Sequence, residues 1–287
     1  MSNILLTGAH GFTGRHFVAQ AERLGHKVHP LRADLRDPAA LLAALADVEY
    51  DAVVHLAAIS FVGHADHAAF YAVNVVGTTN LLQALVTQGR APQCVLVASS
   101  ANIYGNCNAS PIAETQPAAP VNHYAASKLA MEHMAHTFSH LLPIVIARPF
   151  NYTGPGQDVN FMIPKLVDHF LRRAPQVELG NLAVEREFND VRFVADACLG
   201  LLAHGKPGEA YNICTGKPYT LRQVIDTLGR LTDHTLAARV NPCFVRGNEV
   251  ERLCGDPGKL QAVVAIDQPP SLENTLRWML DTTSSVA

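Results

Sequence analysis

Short apolar runs and amphipathic stretches alternate through the first half of the chain. Asn3-Ile4-Leu5-Leu6-Thr7 has the length of a buried strand. After Gly8-Ala9-His10-Gly11-Phe12-Thr13-Gly14, the apolar positions Phe17, Val18, Ala21 and Leu24 fall at helical spacing and stop at Gly25. The alternation then repeats, with strands expected at 27–31, 51–58, 94–98 and 143–147. Helices are expected between them. One covers 38–46, with Asp37 as N-cap and Pro38 in its first turn. A second covers about 66–88, with Tyr71, Val75, Leu81, Leu82 and Leu85 apolar, and a third 122–140, with Leu129, Met131, Met134 and Phe138 apolar. Strand, helix, strand in this order makes βαβ units, so the class is α/β: a parallel sheet with right-handed crossovers, flanked by helices.

Beyond Gly156 the alternation weakens. A helix from Phe161 to about Arg173 and a strand at 177–179 come first. A helix over 193–204 and a strand at 211–213 then return to the first sheet, and a last lobe begins at Tyr219. The chain therefore reads as a sheet-building domain of 1–148 with about 190–215, and a smaller mixed α/β lobe of 149–189 with about 216–287.

The strand ends carry the candidate chemistry. A glycine turn between a strand and a helix exposes backbone N–H groups and a helix N-terminus, a seat for a pyrophosphate. An acidic residue at the end of the second strand would mark NAD; here Arg32 follows Leu31, and a guanidinium there suits a 2′-phosphate or is simply a solvated strand end. Asp34 or Leu35 would border the adenine. The third strand ends in small residues, Ala57-Ala58, which leaves room for a ligand. Between Gly105 and Tyr124 lies a proline-containing loop long enough to cover a site. Tyr124 and Lys128, four apart on a helix, share one face; a nearby ammonium lowers a phenol pKa that starts near 10 and equips the pair to move a proton. In isolation such a pair is more often a half-buried Tyr beside a solvated Lys.

Composition narrows the field. The 287 residues carry a net charge of −3 with 16% charged residues, and the basic side chains are scattered, so no nucleic-acid surface is expected. No uninterrupted apolar run approaches the ~18 residues of a membrane helix. Met1-Ser2-Asn3 runs straight into the first strand without a basic leader, as expected of a cytoplasmic protein. The six cysteines, at 94, 107, 198, 214, 243 and 254, have neither disulfide-framework nor metal-ligand spacing, and no metal is expected.

Taken in order, Gly8-x-x-Gly11-x-x-Gly14, Val54-His55-Leu56-Ala57-Ala58, Ser99-Ser100 with Tyr104-Gly105, Tyr124-x-x-x-Lys128 and Arg148-Pro149-Phe150-Asn151 resemble the extended short-chain dehydrogenase/reductases that act on nucleotide sugars. The resemblance covers nearly the whole chain. It implies a Rossmann-type sheet holding NADP(H) in preference to NAD(H), through Gly8, His10, Gly11, Phe12, Thr13, Gly14, Arg32, Asp34, Leu35, Leu56, Ala57, Ala58, Ala98, Pro149 and Phe150 together with Tyr124 and Lys128. It makes Tyr124 the acid/base, Lys128 its pKa-lowering neighbour and ribose ligand, and Ser100 a hydrogen-bond partner of the sugar C4 oxygen.

Family members that dehydrate carry a carboxylate in place of Ala101-Asn102. An alanine cannot titrate and an amide has no basic pKa, which argues against dehydration. A 4-reductase or 4-epimerase remains. On the substrate side the resemblance implies contacts from Ser60, Ser100, Ala101, Asn102 and Asn151, and a diphosphate grip by Arg186. Arg246-Gly247-Asn248-Glu249-Val250 with Gly255-Asp256-Pro257 is similar to a signature of GDP-sugar enzymes, making Arg246 a phosphate ligand and Glu249 a ribose ligand; Gly247 departs from the signature's proline. The expected activity is hydride transfer from NAD(P)H to the C4 keto group of a GDP-4-keto-6-deoxyhexose. The alternatives are an NDP-sugar 4-epimerase with tightly bound NAD and a non-catalytic cofactor-binding regulator. A homodimer is expected across the helices near 66–88 and 122–140.

Overall fold

A computed structural model describes residues 1–244, 250–266 and 268–284. The elements in order are β1 (Asn3–Thr7), α1 (Phe12–Arg23), β2 (Lys27–Pro30), α2 (Pro38–Leu45), β3 (Ala52–His55), α3 (His67–Phe70), α4 (Thr78–Gln88), β4 (Cys94–Ala98), α5 (His123–His136) and β5 (Ile144–Pro149). Then come β6 (Tyr152–Thr153), α6 (Met162–Leu171), β7 (Gln176–Leu179), β8 (Glu185–Glu187), β9 (Asn189–Asp190), α7 (Val191–His204) and β10 (Ala210–Ile213). The chain closes with β11 (Pro218–Thr220), α8 (Leu221–Thr232), β12 (Ala237–Val240), β13 (Arg252–Leu253), α9 (Gly258–Gln261) and α10 (Leu272–Ser284).

The main sheet has six parallel strands in the order β10-β5-β4-β3-β1-β2. Its strands are apolar on both faces because helices cover both. Ile4, Leu6, Val54, Leu96, Val145 and Ala147 face α1 and α7. The intervening Leu5, Val53, Val95, Val97 and Ile146 face α2, α4 and α5. The smaller lobe has its own core, in which Leu166, Phe170, Val177, Leu179, Val224, Leu228 and Leu276 join α6, α8 and α10 to β7. Its strands are fragments: β11-β8-β13, β12-β7 and β6-β9.

Side-chain caps fix helix ends, Asp37 as the sequence predicts and Asn122 in addition. Asp37 accepts from Ala39 N and Ala40 N at 3.0 Å, and Asn122 caps α5 by accepting from Ala125 N at 2.9 Å. The helix expected over 66–88 differs in its middle, where Tyr71–Gly77 is a π-helix. The hydroxyls of Thr78 and Thr79 donate to the carbonyls of Asn74 and Val75, four residues back, at 2.7 and 2.9 Å. Such back-bonds bend helices, and here Leu35 also presses close: a Cβ on Gly77 would lie 2.8 Å from Leu35 Cβ. The 22-residue stretch His67–Gln88 is long and apolar enough, by length and composition, to cross a membrane, which counting uninterrupted apolar runs missed. Its α4 portion buries Leu81, Leu82 and Leu85 against the sheet.

Candidate active site

β1, β3, β4 and β5 end side by side, where an open parallel sheet usually holds its ligand. The three turn glycines serve different purposes. Gly8 has φ +74°, and a Cβ there would lie 2.7 Å from Ala57 N. A Cβ on Gly14 would lie 2.1 Å from Gly8 O. Both are glycine because backbone packs against them. Gly11 is exposed at the N-cap of α1, and its Cβ would meet only Gly8 O, at 3.3 Å. Its bareness keeps the helix N-terminus open, a cradle that fits the pyrophosphate of a dinucleotide. Ser99 Oγ, buried at the end of β4, has no hydrogen-bond partner among the described residues, so this end of the sheet also has polar capacity to spare.

Around this cradle His10 is exposed, and Phe12 stacks on Tyr152 at 6.0 Å. Thr13 Oγ1 hydrogen-bonds Tyr152 Oη at 2.7 Å. Arg32 is exposed just past β2. Asp34 pairs with Arg36 at 2.6 Å, and that hydrogen-bonded guanidinium holds its carboxyl down to about 2. Leu35 is buried in the core beneath the π-helix. Leu56, Ala57 and Ala58 line the exit from β3 half-buried, as do Ala98 at the end of β4 and Pro149 at the end of β5. Phe150 is 1% exposed, its ring in a small core with Ile103, Tyr104 and Cys214, so it offers a cofactor almost no surface.

Ser100, Tyr124 and Lys128 come together at the end of β4, with exposures of 5%, 8% and 3%. Ser100 Oγ accepts from Asn102 N at 3.2 Å and Asn102 Nδ2 at 3.1 Å. With both lone pairs engaged, its remaining resource is the O–H, which serves its hydrogen bond with Tyr124. Burial raises the Tyr124 pKa, and the Ser100 bond opposes that rise. This corrects the expectation of a phenol lowered by Lys128: desolvation of the phenolate dominates, and the opposing contribution comes from Ser100. Lys128 Nζ donates to Ala98 O at 2.6 Å. Burial lowers its pKa to about 8, and Glu132, one turn on, pulls it back up. Glu132 in turn pairs with Arg148 at 2.7 Å and 3.0 Å in a two-pronged contact.

The substrate side is less concentrated. Ala101 is fully buried beside Ile103 and Tyr104, turned inward by the 3₁₀ turn that Ser100 caps, and gives a substrate no surface; this removes it from the expected contacts. Asn102 and Asn151 are half-buried and Ser60 is exposed. Arg186, on β8, donates to the carbonyls of Glu185, Val250 and Glu251, so a diphosphate would have to displace main-chain acceptors to reach it. Arg246 and Glu249 lie outside the described residues. Sequence reasoning also missed Tyr152, the Glu132–Arg148 pair and the fully buried Asn74, because nothing local tells which residues they meet. A cavity of about 1140 Å³ lies elsewhere, between the C-terminal half of α1, α7 and α10. Its guanidiniums at Arg23, Arg192 and Arg277 are engaged by Gln20, Asp190 and Glu273.

Residues 4–214 match the model of the NAD dependent epimerase/dehydratase family. The chain is 36% identical to a GDP-6-deoxy-D-talose 4-dehydrogenase from Aggregatibacter actinomycetemcomitans, over 92% of each chain. It is 33% identical to a GDP-6-deoxy-D-mannose reductase from Pseudomonas aeruginosa, over 96% of this chain and 95% of that one. The crystal structure of RMD from Pseudomonas aeruginosa complexed with NADPH superposes with a TM-score of 0.93 at 31% identity, covering both chains fully (100%).

Proposed function

Since the chain belongs to the NAD dependent epimerase/dehydratase family, we propose that it reduces the C4 keto group of a GDP-4-keto-6-deoxyhexose, with Tyr124 as general acid. The carrying observation is the trio at the end of β4: a phenol kept protonated by burial, a hydroxyl donor on Ser100 and a buried ammonium, with no carboxylate at 101 or 102. A protonated phenol suits delivery of a proton to a carbonyl oxygen that is becoming an alkoxide. The bound nicotinamide would supply the hydride. Gly8, Gly11 and Gly14 would shape its pyrophosphate seat, Lys128 would meet its ribose, and the Ser100 hydroxyl would turn from Tyr124 to share the C4 oxygen with it.

NADPH is the preferred cofactor in this reading, because Arg32 stands exposed where an acid would select NAD. GDP is favoured because both curated relatives act on GDP-6-deoxy sugars. Talose and mannose differ only at C4, so the two relatives' sugars arise from one 4-keto compound by hydride addition to opposite faces. Which face this chain uses depends on how the sugar lies between Tyr124 and the nicotinamide. A second copy of the chain would pair across the helices carrying the exposed Tyr71, Val76 and Met134.

The test mixes the protein with NADPH and GDP-4-keto-6-deoxy-mannose and follows loss of reduced-cofactor absorbance, with the product's C4 configuration read by NMR. Stoichiometric oxidation is expected. No oxidation, with UDP-hexoses interconverted instead, overturns the reading in favour of an epimerase.

A further inference from the structure

His55, at the end of β3, is 2% exposed and sits between two threonines. Its Nδ1 lies 2.6 Å from Thr7 Oγ1, and its Nε2 lies 2.8 Å from Thr78 Oγ1. Neighbouring bonds fix which way every proton points. The Thr78 hydroxyl donates to Asn74 O at 2.7 Å, so toward His55 its oxygen accepts, and Nε2 carries the imidazole hydrogen. Nδ1 is then an acceptor, and the Thr7 hydroxyl donates to it. Thr7 Oγ1 in turn accepts from Ala57 N at 3.2 Å. The carbonyl that Thr78 meets belongs to the Asn74 main chain, and the residue's covalent frame carries the connection to its side-chain amide: Nδ2 donates to Ser127 Oγ at 3.0 Å, and the Ser127 hydroxyl donates to Tyr124 O at 2.8 Å. Asn74 also closes on the cleft loop, accepting from Ile59 N at 2.9 Å and donating to Ile59 O at 3.1 Å.

We propose that His55 is a positioning residue, fixed as the neutral Nε2–H tautomer, whose one-way hydrogen-bond relay ties the glycine turn and the loop after β3 to the backbone of the Tyr124 helix. The relay runs from Ala57 N–H through Thr7, His55, Thr78, Asn74 and Ser127 to the carbonyl of Tyr124. Thr7, His55, Asn74, Thr78 and Ser127 are all buried, so no water substitutes for a lost partner. An imidazolium would put two donors where the relay allows one, and would bring a second positive charge near Lys128. Burial, with a smaller push from Lys128, lowers the His55 pKa to about 3, in agreement with that geometry. At 2% exposure His55 offers no surface to a reacting atom or a cofactor. It acts through the two surfaces it joins, so nucleotide seating and the placement of Tyr124 depend on the same ring. The π-helix fits this role, since it is where Asn74 O meets the Thr78 hydroxyl.

The tautomer is independent of the proposed reaction and is read first. In ¹⁵N-histidine-labelled protein, His55 is expected to show an unprotonated Nδ1 and a protonated Nε2, unchanged from pH 5.5 to 8.5. A titrating His55, or an Nδ1–H tautomer, overturns the proposal whatever the substrate proves to be. His55→Gln retains one acceptor and one donor, whereas His55→Leu leaves Thr7 and Thr78 unpartnered. In folded protein His55→Leu is expected to weaken NADPH binding, measured by fluorescence, about tenfold or more, and to lower kcat as well, with His55→Gln recovering most of both. Unchanged NADPH affinity and kcat in folded His55→Leu overturns the proposal. If His55→Leu does not fold, His55→Gln and the tautomer still decide: Gln weaker than wild type by the full tenfold in binding contradicts the relay. Binding loss without any keto-sugar turnover in the wild type separates failure of the proposed reaction from failure of the relay.

Discussion

In the six-stranded half, the site residues stand at strand ends or on helix α5 packed against them, and buried polar groups lock them together. Lys128 is held to Ala98 O, Glu132 to Arg148, and Asn74 to both Ile59 and Ser127. In the smaller lobe, β8 has three residues, and Arg186 on it is held by carbonyls of a neighbouring segment. Its fixed point is one fully buried carboxylate: Glu187 accepts from Thr215 N and Gly255 N at 2.7 Å and from Asn189 Nδ2 at 3.0 Å. Chemistry is built on the rigid sheet. The smaller lobe, which in the proposed reading meets the sugar nucleotide, is assembled from short pieces gathered around one acceptor, a construction that would permit different nucleotide sugars on a shared catalytic frame.

Substitutions in the two regions should therefore fail differently. The largest effect is expected at Tyr124. Tyr124→Phe removes the proton donor and should lower kcat about 10²–10⁴-fold, with NADPH affinity by fluorescence titration nearly unchanged. Loss of cofactor binding instead would make Tyr124 structural.

Glu132→Gln comes next. It strands Arg148 and should cost about 3–5 kcal/mol in denaturant unfolding. It should also move the pH profile. Activity needs protonated Lys128, so it falls as pH rises through about 8, and without Glu132 the fall begins at lower pH. Stability runs the other way. The folded pKa lies below the ordinary 10.5, so the unfolded chain binds more protons between 8 and 10.5, and folding gains stability across that window as pH rises. An unshifted basic limb in Glu132→Gln would show that the pair only holds the fold.

Glu187→Gln sharpens the contrast from the other lobe. Replacing an oxygen acceptor by an NH₂ group leaves a buried N–H unmatched, at about 1–3 kcal/mol. The KM for the sugar nucleotide should rise while the KM for NADPH and the pH profile stay put. Gly11→Ala should weaken NADPH about tenfold with little change in Tm, because its Cβ enters the cradle and not the packing; Gly14→Ala should instead unfold the protein, its Cβ meeting backbone at 2.1 Å. The smallest effect is expected at Arg32: Arg32→Ala should narrow the kcat/KM preference for NADPH over NADH several-fold, and an unchanged ratio would remove the 2′-phosphate from its role.

The same division decides what the sequence could reveal. The glycine turn, the Asp37-Pro38 cap and the apolar strands are local patterns, and each reads correctly within a few residues. The convergence of Tyr124, Lys128 and Ser100 was legible because a motif order carries them. Burial was not legible: it reverses the pKa direction expected for Tyr124 and turns Ala101 into core. Nor were partners across the fold, since Thr7 and Thr78 lie 48 and 23 positions from His55. The π-helix packs against Leu35, 42 positions before Gly77, a contact no local pattern shows, and strands of two or three residues in the smaller lobe are too short to show a period.

The central claim is net hydride transfer to C4, with Tyr124 supplying the proton. The direct measurement uses NADPH deuterated at nicotinamide C4 on the transferring face, with GDP-4-keto-6-deoxy-mannose, and reads the product by NMR and mass spectrometry. One deuterium at C4 of a GDP-6-deoxyhexose, with one NADP⁺ formed per sugar, is the predicted result. Keto sugar recovered unreduced with no cofactor oxidised, or a sugar reduced with no label at C4, would contradict it.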